Sequence, residues 1–423
     1  VAVTAHPWWL KTWFDAFHAG STGTDACVVS VRDESDQLLA VLPLIRTCTT
    51  TGSILHWMGG GIACSDGITP YVRDSLNPQI RSSVMAAAAR YLISMRRDSE
   101  LRWDSLEMDG IIEGDLGMRQ WIDSLRHEGC GVHSWSRMHV WRRQIVGDWE
   151  IGLASCSKTT RRGYRKSLQT LAGDEFVLHV VTDHDSEQSW STAMATLIDL
   201  HQSRWNAEDQ PGSFADPAMQ RLMDGLWTGL RDFRTLIHVA ATSDASSSPK
   251  TSGGERSKRR RSRQKRKLET NLQNQHDAAI QHQCTGTPNG DLQHGMRLVI
   301  LRHTDKPIAA ELQLIGTSPS GKCLSSYSSG MTPDAADIQP GRILQASTLR
   351  HAHDSGFGVW DFMRGDEPYK ARMSASPTPI GTVRITPPGL RGQIGDAAWQ
   401  TGFLAKQWLR RQTGRTEIGG LEI

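Results

Sequence analysis

"MRLVILRHTDKPIAAELQLIGTSPSGKCLSSYSSG", residues 296–330, reads as three strands joined by two turns. An apolar, β-branched run enters a charged turn and a second apolar run ends in Leu314 and Ile315. A polar link with Gly321 then opens the third run. The same order stands near the start of the chain in "ACVVSVRDESDQLLAVLPLIRTCTTTGSILHWMGGG", residues 26–61. Leu39 pairs with Ile308 and Gly52 with Gly321, both at an offset of 269. Self-similarity of this kind marks a duplicated unit.

The likeness extends downstream. Each block is followed by an irregular stretch with Asp and Pro, then by a helical pattern: "NPQIRSSVMAAAARYLISMRR" (77–97) in one copy and "QPGRILQASTLRHAHDSG" (339–356) in the other. Each helix leads into a strand with Trp-Asp, "RWDSLEMDG" (102–110) and "VWDFMRGDE" (359–367), at an offset of 257 from Trp103 to Trp360. A helix crossing before the last strand implies a parallel pair beside antiparallel hairpins, and so a mixed sheet. The expected fold is α/β, two similar domains with mixed sheets flanked by helices. Between the copies, 157–172, 186–206 and 216–233 read as helices, and "GDAAWQTGFLAKQWLRRQ" (395–412) reads as a C-terminal helix packed on the body.

A chain of 423 residues is too long for one ordinary core. The longest apolar run, "LLAVLPLI" (38–45), falls far short of the roughly 20 residues that a membrane helix needs, so no membrane span is expected. The first residues lack a charged segment followed by an apolar block, and no secretory signal is expected. Seven scattered cysteines without a C-x-x-C pair suit reduced thiols in a cytoplasm and exclude a zinc site or a disulfide framework.

The formal net charge of +3 hides an asymmetry. Residues 250–267 hold ten of the 48 basic residues and one of the 45 acidic ones, so the remainder carries 38 against 44, a net of −6. This run lies in a Ser-, Gly- and Gln-rich stretch, 242–295, between the strand-like "RTLIHVAA" (234–241) and "MRLVILRH" (296–303). A disordered insertion at about 243–294 is expected, since a long loop costs little closure entropy. The 250–267 run is also a candidate arm for nucleic acid or an anionic surface, although no aromatic residue is interleaved for stacking on bases.

The segment "VWDFMRGDEPYKARM" (359–373) carries more charge than a turn needs. Asp361, Arg364, Asp366, Glu367, Tyr369 and Lys370 crowd around Gly365 and Pro368. Either a salt-bridge lock fixes the strand end, or these groups face a ligand. "LHQSRW" (200–205) sets His201, Arg204 and Trp205 on nearly one helix face, where they could clamp a substrate or simply dock the helix.

Taken in order, "LHQSRW", "IAAELQL" (308–314), the Tyr327 strand, the helix start at Pro340 and Gly341, and the closing "DFMRGDEPYK" (361–370) resemble one family. It is the tandem GNAT-fold acyltransferases grouped with the CelD-type proteins of cellulose biosynthesis, relatives of the FemAB peptidyltransferases. The resemblance covers most of the chain and is strongest over 150–375. It implies two GNAT-like domains at 1–150 and 151–385, then a C-terminal helix and tail at 386–423. The implied function is an N-acyltransferase that uses acyl-CoA as co-substrate, without a metal, and passes the acyl group directly to a small-molecule or glycan amine. A link to exopolysaccharide, cellulose or cell-envelope synthesis follows from the same likeness.

In a cleft of that fold the donor's phosphates call for cations and backbone N–H groups, and the amine calls for a base. Asp361, Glu367 and Tyr369 are then the catalytic candidates. Arg364 and Lys370 are expected on anionic parts of donor or acceptor, Tyr327 as a donor in the cleft, and Gly341 with Arg342 on the cofactor. An aminoacyl-tRNA donor, as in the FemAB relatives, and a non-catalytic scaffold with a degenerate cleft are the alternatives. "GTSPSGKC" (316–323) is no P-loop, because Cys323 stands where Ser or Thr must hold magnesium and a strand follows. "HWMGGGIACSDG" (56–67) reads as a turn along the cleft of the first domain.

Overall fold

The computed structural model describes residues 3–50, 52–246, 284–285 and 295–412. The first half comprises α1 (Pro7–His18), β1 (Thr24–Arg32), β2 (Leu38–Thr49), β3 (Gly52–Trp57), β4 (Tyr71–Val72), α2 (Pro78–Met95), β5 (Ser105–Ile112), α3 (Leu116–His127) and β6 (Gly131–Gln144). Next come α4 (Trp149–Ala154), α5 (Lys158–Leu171), β7 (Phe176–Thr182), α6 (Glu187–Ala207), α7 (Pro217–Ser246) and β8 (Cys284–Thr285). The second half continues with β9 (Gly295–His303), β10 (Lys306–Ser318), β11 (Gly321–Met331), α8 (Pro340–Asp354), β12 (Val359–Arg364), α9 (Pro368–Arg372), β13 (Ser376–Thr386) and α10 (Leu390–Gln412). The fold is mixed α/β, with helices flanking one large mixed sheet.

The repeat is visible in the register. β1, β2 and β3 run antiparallel, and so do β9, β10 and β11. Leu44 lies opposite Trp57, and Gln313 lies opposite Ser326, at the same offset of 269 on both strands. A helix crossover then brings in a parallel partner, β5 beside β3 and β12 beside β11, as that connection requires. Ile54 faces Ser105, and its counterpart Cys323 faces Val359, so Ser105 corresponds to Val359 at an offset of 254. The Trp-Asp match at 257 is therefore three residues out of register. Trp103 precedes β5 and is buried beneath α2, its Nε1 donating to the Leu92 carbonyl at 2.8 Å, whereas Trp360 sits within β12.

The sheet does not divide between the halves. Its order is β1-β2-β3-β5-β13-β6-β12-β11-β10-β9-β7-β8, with β4 on β2. β6 leaves the first half to pair with β12, β13 returns to pair with β5, and the two pair with each other. The largest apolar cluster likewise runs from Trp9, Leu42 and Leu55 to Leu298, Leu312 and Val383. Residue 150 falls inside α4 and residue 385 inside β13.

Helix starts follow the side chains that cap them: Asn77 accepts from Ile80 N at 2.9 Å and Asp115 from Met118 N at 2.7 Å. One expectation fails here. Residues 234–241 form no strand but continue α7, whose apolar face (Leu222, Leu226, Leu230, Phe233) keeps the helical period. Arg234 anchors this stretch to the buried Asp183 at 2.6 Å. The insertion expected at 243–294 lies, apart from 243–246 and 284–285, outside the described residues. α10 begins at Leu390 and packs on β6 through Trp399 against Trp135, with ring centroids 5.4 Å apart.

Candidate active site

β11 and β12 pair at three positions only, Cys323 with Val359, Leu324 with Trp360 and Ser325 with Asp361. Beyond them β11 follows β10 while β12 turns to β6, so the sheet splays. A cleft of about 990 Å³ fills the gap, walled by β10, β11, α5, α6, the start of α8, the β12–α9 segment and residues 62–64 of the first half. β3 and β5 part after the same three pairs, but there the chain fills the space: Gly67 N donates to Gly110 O at 2.9 Å, and Trp9 Nε1 to Ser65 Oγ at 2.8 Å. The segment 56–67 thus turns along its own half's gap and also sends Ile62, Ala63 and Cys64 into the cleft of the second.

Apart from Asp361 and Asp366, the latter bonded to His139 and Trp141, the charged and aromatic residues singled out in the sequence line this one cleft. Packing of α6 on β11 brings in the "LHQSRW" face, and Gly330 permits it, because a Cβ there would collide with the backbone nitrogen of His201. His201 bridges Gln202 Oε1 (3.1 Å) and Ser213 Oγ (3.4 Å), and burial pulls its pKa down, so it sits in the wall as a neutral ring. The Arg204 guanidinium lies 5.8 Å from the Trp205 ring and 3.6 Å from Glu208.

At the α8 end the chain prepares for an anion. Gln339 caps the helix in the left-handed region (φ 56) without a side-chain bond, unlike Asn77 on α2. Pro340 and Gly341 follow, and a Cβ at Gly341 would press to 3.0 Å on Met331 Cε. Pro340 has no N–H, and the Arg342 and Ile343 amides donate to the Gln339 carbonyl at 2.9 and 3.4 Å, so this end offers a ligand the Gly341 amide and the Arg342 side chain, with Thr159 and Thr160 of α5 across the gap. Arg342 and Arg372, both exposed on the cleft's rim, make no ion pair among the described residues.

The closing segment is mostly a lock. Asp361 turns away from the cleft, accepting from Arg142 Nε and from Met363 N at 2.7 and 2.8 Å, so it is no base for a substrate. Arg364 is held by Asp66, and by Asp109 at 3.0 Å, both from the first half. Burial pushes the Asp66 carboxyl up to about 6 despite this partner. The buried Lys370 Nζ donates to the carbonyls of Met363 (3.3 Å), Arg364 (2.9 Å) and Gly365 (3.0 Å) and meets Glu367 at 2.9 Å. Lys370 spends its three donors within the protein and the Arg364 charge is matched by two first-half carboxylates, contrary to the expectation that these cations serve a substrate anion. Tyr327 is likewise engaged: its hydroxyl donates to the Ala63 carbonyl at 2.8 Å and its ring lies edge-on to Trp9. Glu367 and Tyr369 keep a face on the cleft, and burial together with the carboxylates of Glu311 and Glu367 pushes the Tyr369 phenol up.

Glu311 was missed. It is buried in β10 yet lines the cleft, its Oε1 accepting from Ser326 Oγ and, at 2.9 Å, from Gln313 Nε2. Ser326 Oγ in turn accepts from Trp360 Nε1 at 2.9 Å, and Gln313 reaches Thr348 at 2.9 Å. A carboxylate in the middle of the largely apolar run "IAAELQLI" (308–315) is the sequence signal, since burying a charge is costly. The repeat sharpens it: Leu42, Leu44 and Trp57, all buried, stand where the second half has Glu311, Gln313 and Ser326.

No curated protein matches the chain. Among solved structures, FemX superposes with a TM-score of 0.49 at 13% identity over 90% of this chain and 93% of its own. A conserved protein of unknown function from Bacteroides thetaiotaomicron gives 0.45 at 10% over 90% of each chain. A tandem GNAT protein from the clavulanic acid biosynthesis pathway gives 0.40 at 9% over 90% and 95%. Residues 256–371, which carry β9 to β12 and most of the cleft, match the family described as the acetyltransferase (GNAT) domain.

Proposed function

We propose that the protein is an N-acyltransferase that moves an acyl group from acyl-CoA directly onto an amine in the β11–β12 cleft. The observation that carries this reading is the cleft of about 990 Å³ where β11 and β12 splay, at a place where the matching β3–β5 gap is bridged by the Gly67–Gly110 and Trp9–Ser65 bonds. Its rim offers Arg342 and Arg372, which make no ion pair among the described residues, beside the start of α8 for a phosphorylated donor, and its floor offers carboxyl and phenol groups for proton transfer. The acetyltransferase match over 256–371 supports the reaction class.

In this reading Gly341 and Arg342, helped by Arg372, hold the anionic part of the donor. The thioester lies along β11, whose main chain past Ser325 has no partner on β12. The amine, small molecule or glycan, enters between α6 and residues 62–64, against His201, Arg204 and Trp205. The nitrogen bonds to the carbonyl carbon and gives its proton to a carboxylate of the cleft, the C–S bond breaks, and the leaving thiolate takes a proton from Tyr369, which regains one from solvent. A phenol keeps its proton at neutral pH even at its ordinary pKa of about 10, and burial raises that of Tyr369 further. A cytoplasmic setting, where acyl-CoA is made, and a role in exopolysaccharide or cell-envelope synthesis belong to this proposal. The 250–267 basic run favours one rival donor, an aminoacyl-tRNA, whose binding would collapse as salt rises.

A screen of acyl-CoA and amine pairs by free-thiol release, with melting temperature followed against CoA, tests the reading. Thiol release with at least one pair and a rise in melting temperature with CoA are expected. No release from any pair and no stabilisation by CoA would leave the scaffold alternative standing.

A further inference from the structure

We propose that Glu311 is the general base that takes the proton from the attacking amine; the inference rests on the acyltransferase reading above. Among the described residues that line the cleft, Glu311 and Glu367 are the carboxylates. Glu367 is more than half exposed and tied to Lys370, whereas Glu311 is 5% exposed and held in one orientation by Ser326 and Gln313. The first half holds its strand without a carboxylate here: the buried Leu42 stands at the same offset of 269 on β2, although it has no β3 partner where Glu311 pairs with Ser329. Burying a charge where the repeat shows that Leu suffices is costly, and a proton-transfer task at the cleft floor accounts for it.

The surroundings suit a base. Burial raises the Glu311 pKa, while the bonds from Ser326 and Gln313 and the charge of Arg297 on β9 pull it back. Arg297 is itself bonded to His351 of α8, and Tyr369 of α9 faces Glu311 from across the cleft with Glu367 behind it. Tyr369 stays neutral, so Arg297 is the charged neighbour that Glu311 meets first. In the transfer, the amine nitrogen forms the C–N bond, its proton passes to the Glu311 carboxylate, the C–S bond breaks, and Tyr369 protonates the thiolate.

The test compares wild type, Glu311→Gln and Ser326→Ala, using acetyl-CoA with ethanolamine, glucosamine and lysine methyl ester as acceptors. Glu311→Gln is expected to lower kcat by about 10²- to 10⁴-fold, to leave the Kd for CoA within about threefold, and to erase the fall of kcat/KM toward acid pH. Ser326→Ala keeps the carboxylate and removes a bond that favours its charged form, so that acid limb should move to higher pH. A merely structural network would shift melting temperature in both variants and move neither limb. Wild-type turnover with an unchanged kcat and acid limb in Glu311→Gln overturns the base assignment alone. If Glu311→Gln does not fold, a limb unmoved in Ser326→Ala overturns it equally. A wild type that neither binds CoA nor releases thiol overturns this inference and the acyltransferase reading together.

Discussion

Arg364 joins the halves through a single guanidinium. It reaches from the end of β12 to Asp66 and Asp109, and Asp66 is almost wholly buried. Removing one partner of a buried pair leaves the other charge unpaired, so Arg364→Ala is expected to destabilise the protein by about 3–5 kcal/mol. That loss should show in the denaturant midpoint. Asp66 adds a pH signature. Its native carboxyl sits at about 6, above the ~3.9 of an unfolded chain. The native state therefore binds the proton more tightly, and the stability this gives is full below about pH 4 and lost as pH rises through about 6. Asp66→Asn should flatten stability against pH over that window; a slope identical to wild type would assign the titration to another group. Lys370 finds its partners within seven residues, but the roles of Arg364 and Asp361 were not legible locally. Arg142, Asp66 and Asp109, which neutralise them, lie more than 200 residues away in sequence, and a charge cluster reads the same whether its partners are ligands or distant side chains.

The site depends on two elements leaning on each other. α6 presses on β11 so closely that position 330 admits no side chain, and this contact sets His201, Arg204 and Trp205 on the cleft. Gly330→Ala should cost about 1–3 kcal/mol of stability by overpacking and weaken acceptor binding, read as a raised KM for the amine. An unchanged melting temperature would mean that α6 and β11 do not touch as described. At this scale the sequence was a good guide. Hairpins, crossover helices and the α8 start were legible because their signals are local: turn glycines, apolar period and Pro at the first helical turn. Residues 234–241 misled because a short apolar run has no length of its own, and the helix before it simply continued. The Trp-Asp match misled because two similar dipeptides outweighed the register that backbone pairing sets.

Across the whole molecule, exchange of β6 and β13 makes each half complete only with a strand of the other. No sequence pattern announces an exchange, since β6 and β13 look like any last strand of a repeat. Its consequence is cooperativity. Calorimetry should give one transition, and a chain ending at Ser374, without β13, should fail to fold because β5 and β6 would both lose their shared partner. Two resolved transitions, one for each half, would contradict the shared core. The repeat also bears on function, for the β11–β12 cleft lies in the second copy, which has Glu311, Gln313 and Ser326 where the first has Leu42, Leu44 and Trp57. Calorimetric titration with acetyl-CoA of wild type and Arg342→Ala addresses that claim most directly. One site per chain is expected, weakened about tenfold in the variant by loss of one charge-assisted contact. Two sites per chain, or one whose affinity ignores Arg342, would contradict a single donor site at the start of α8.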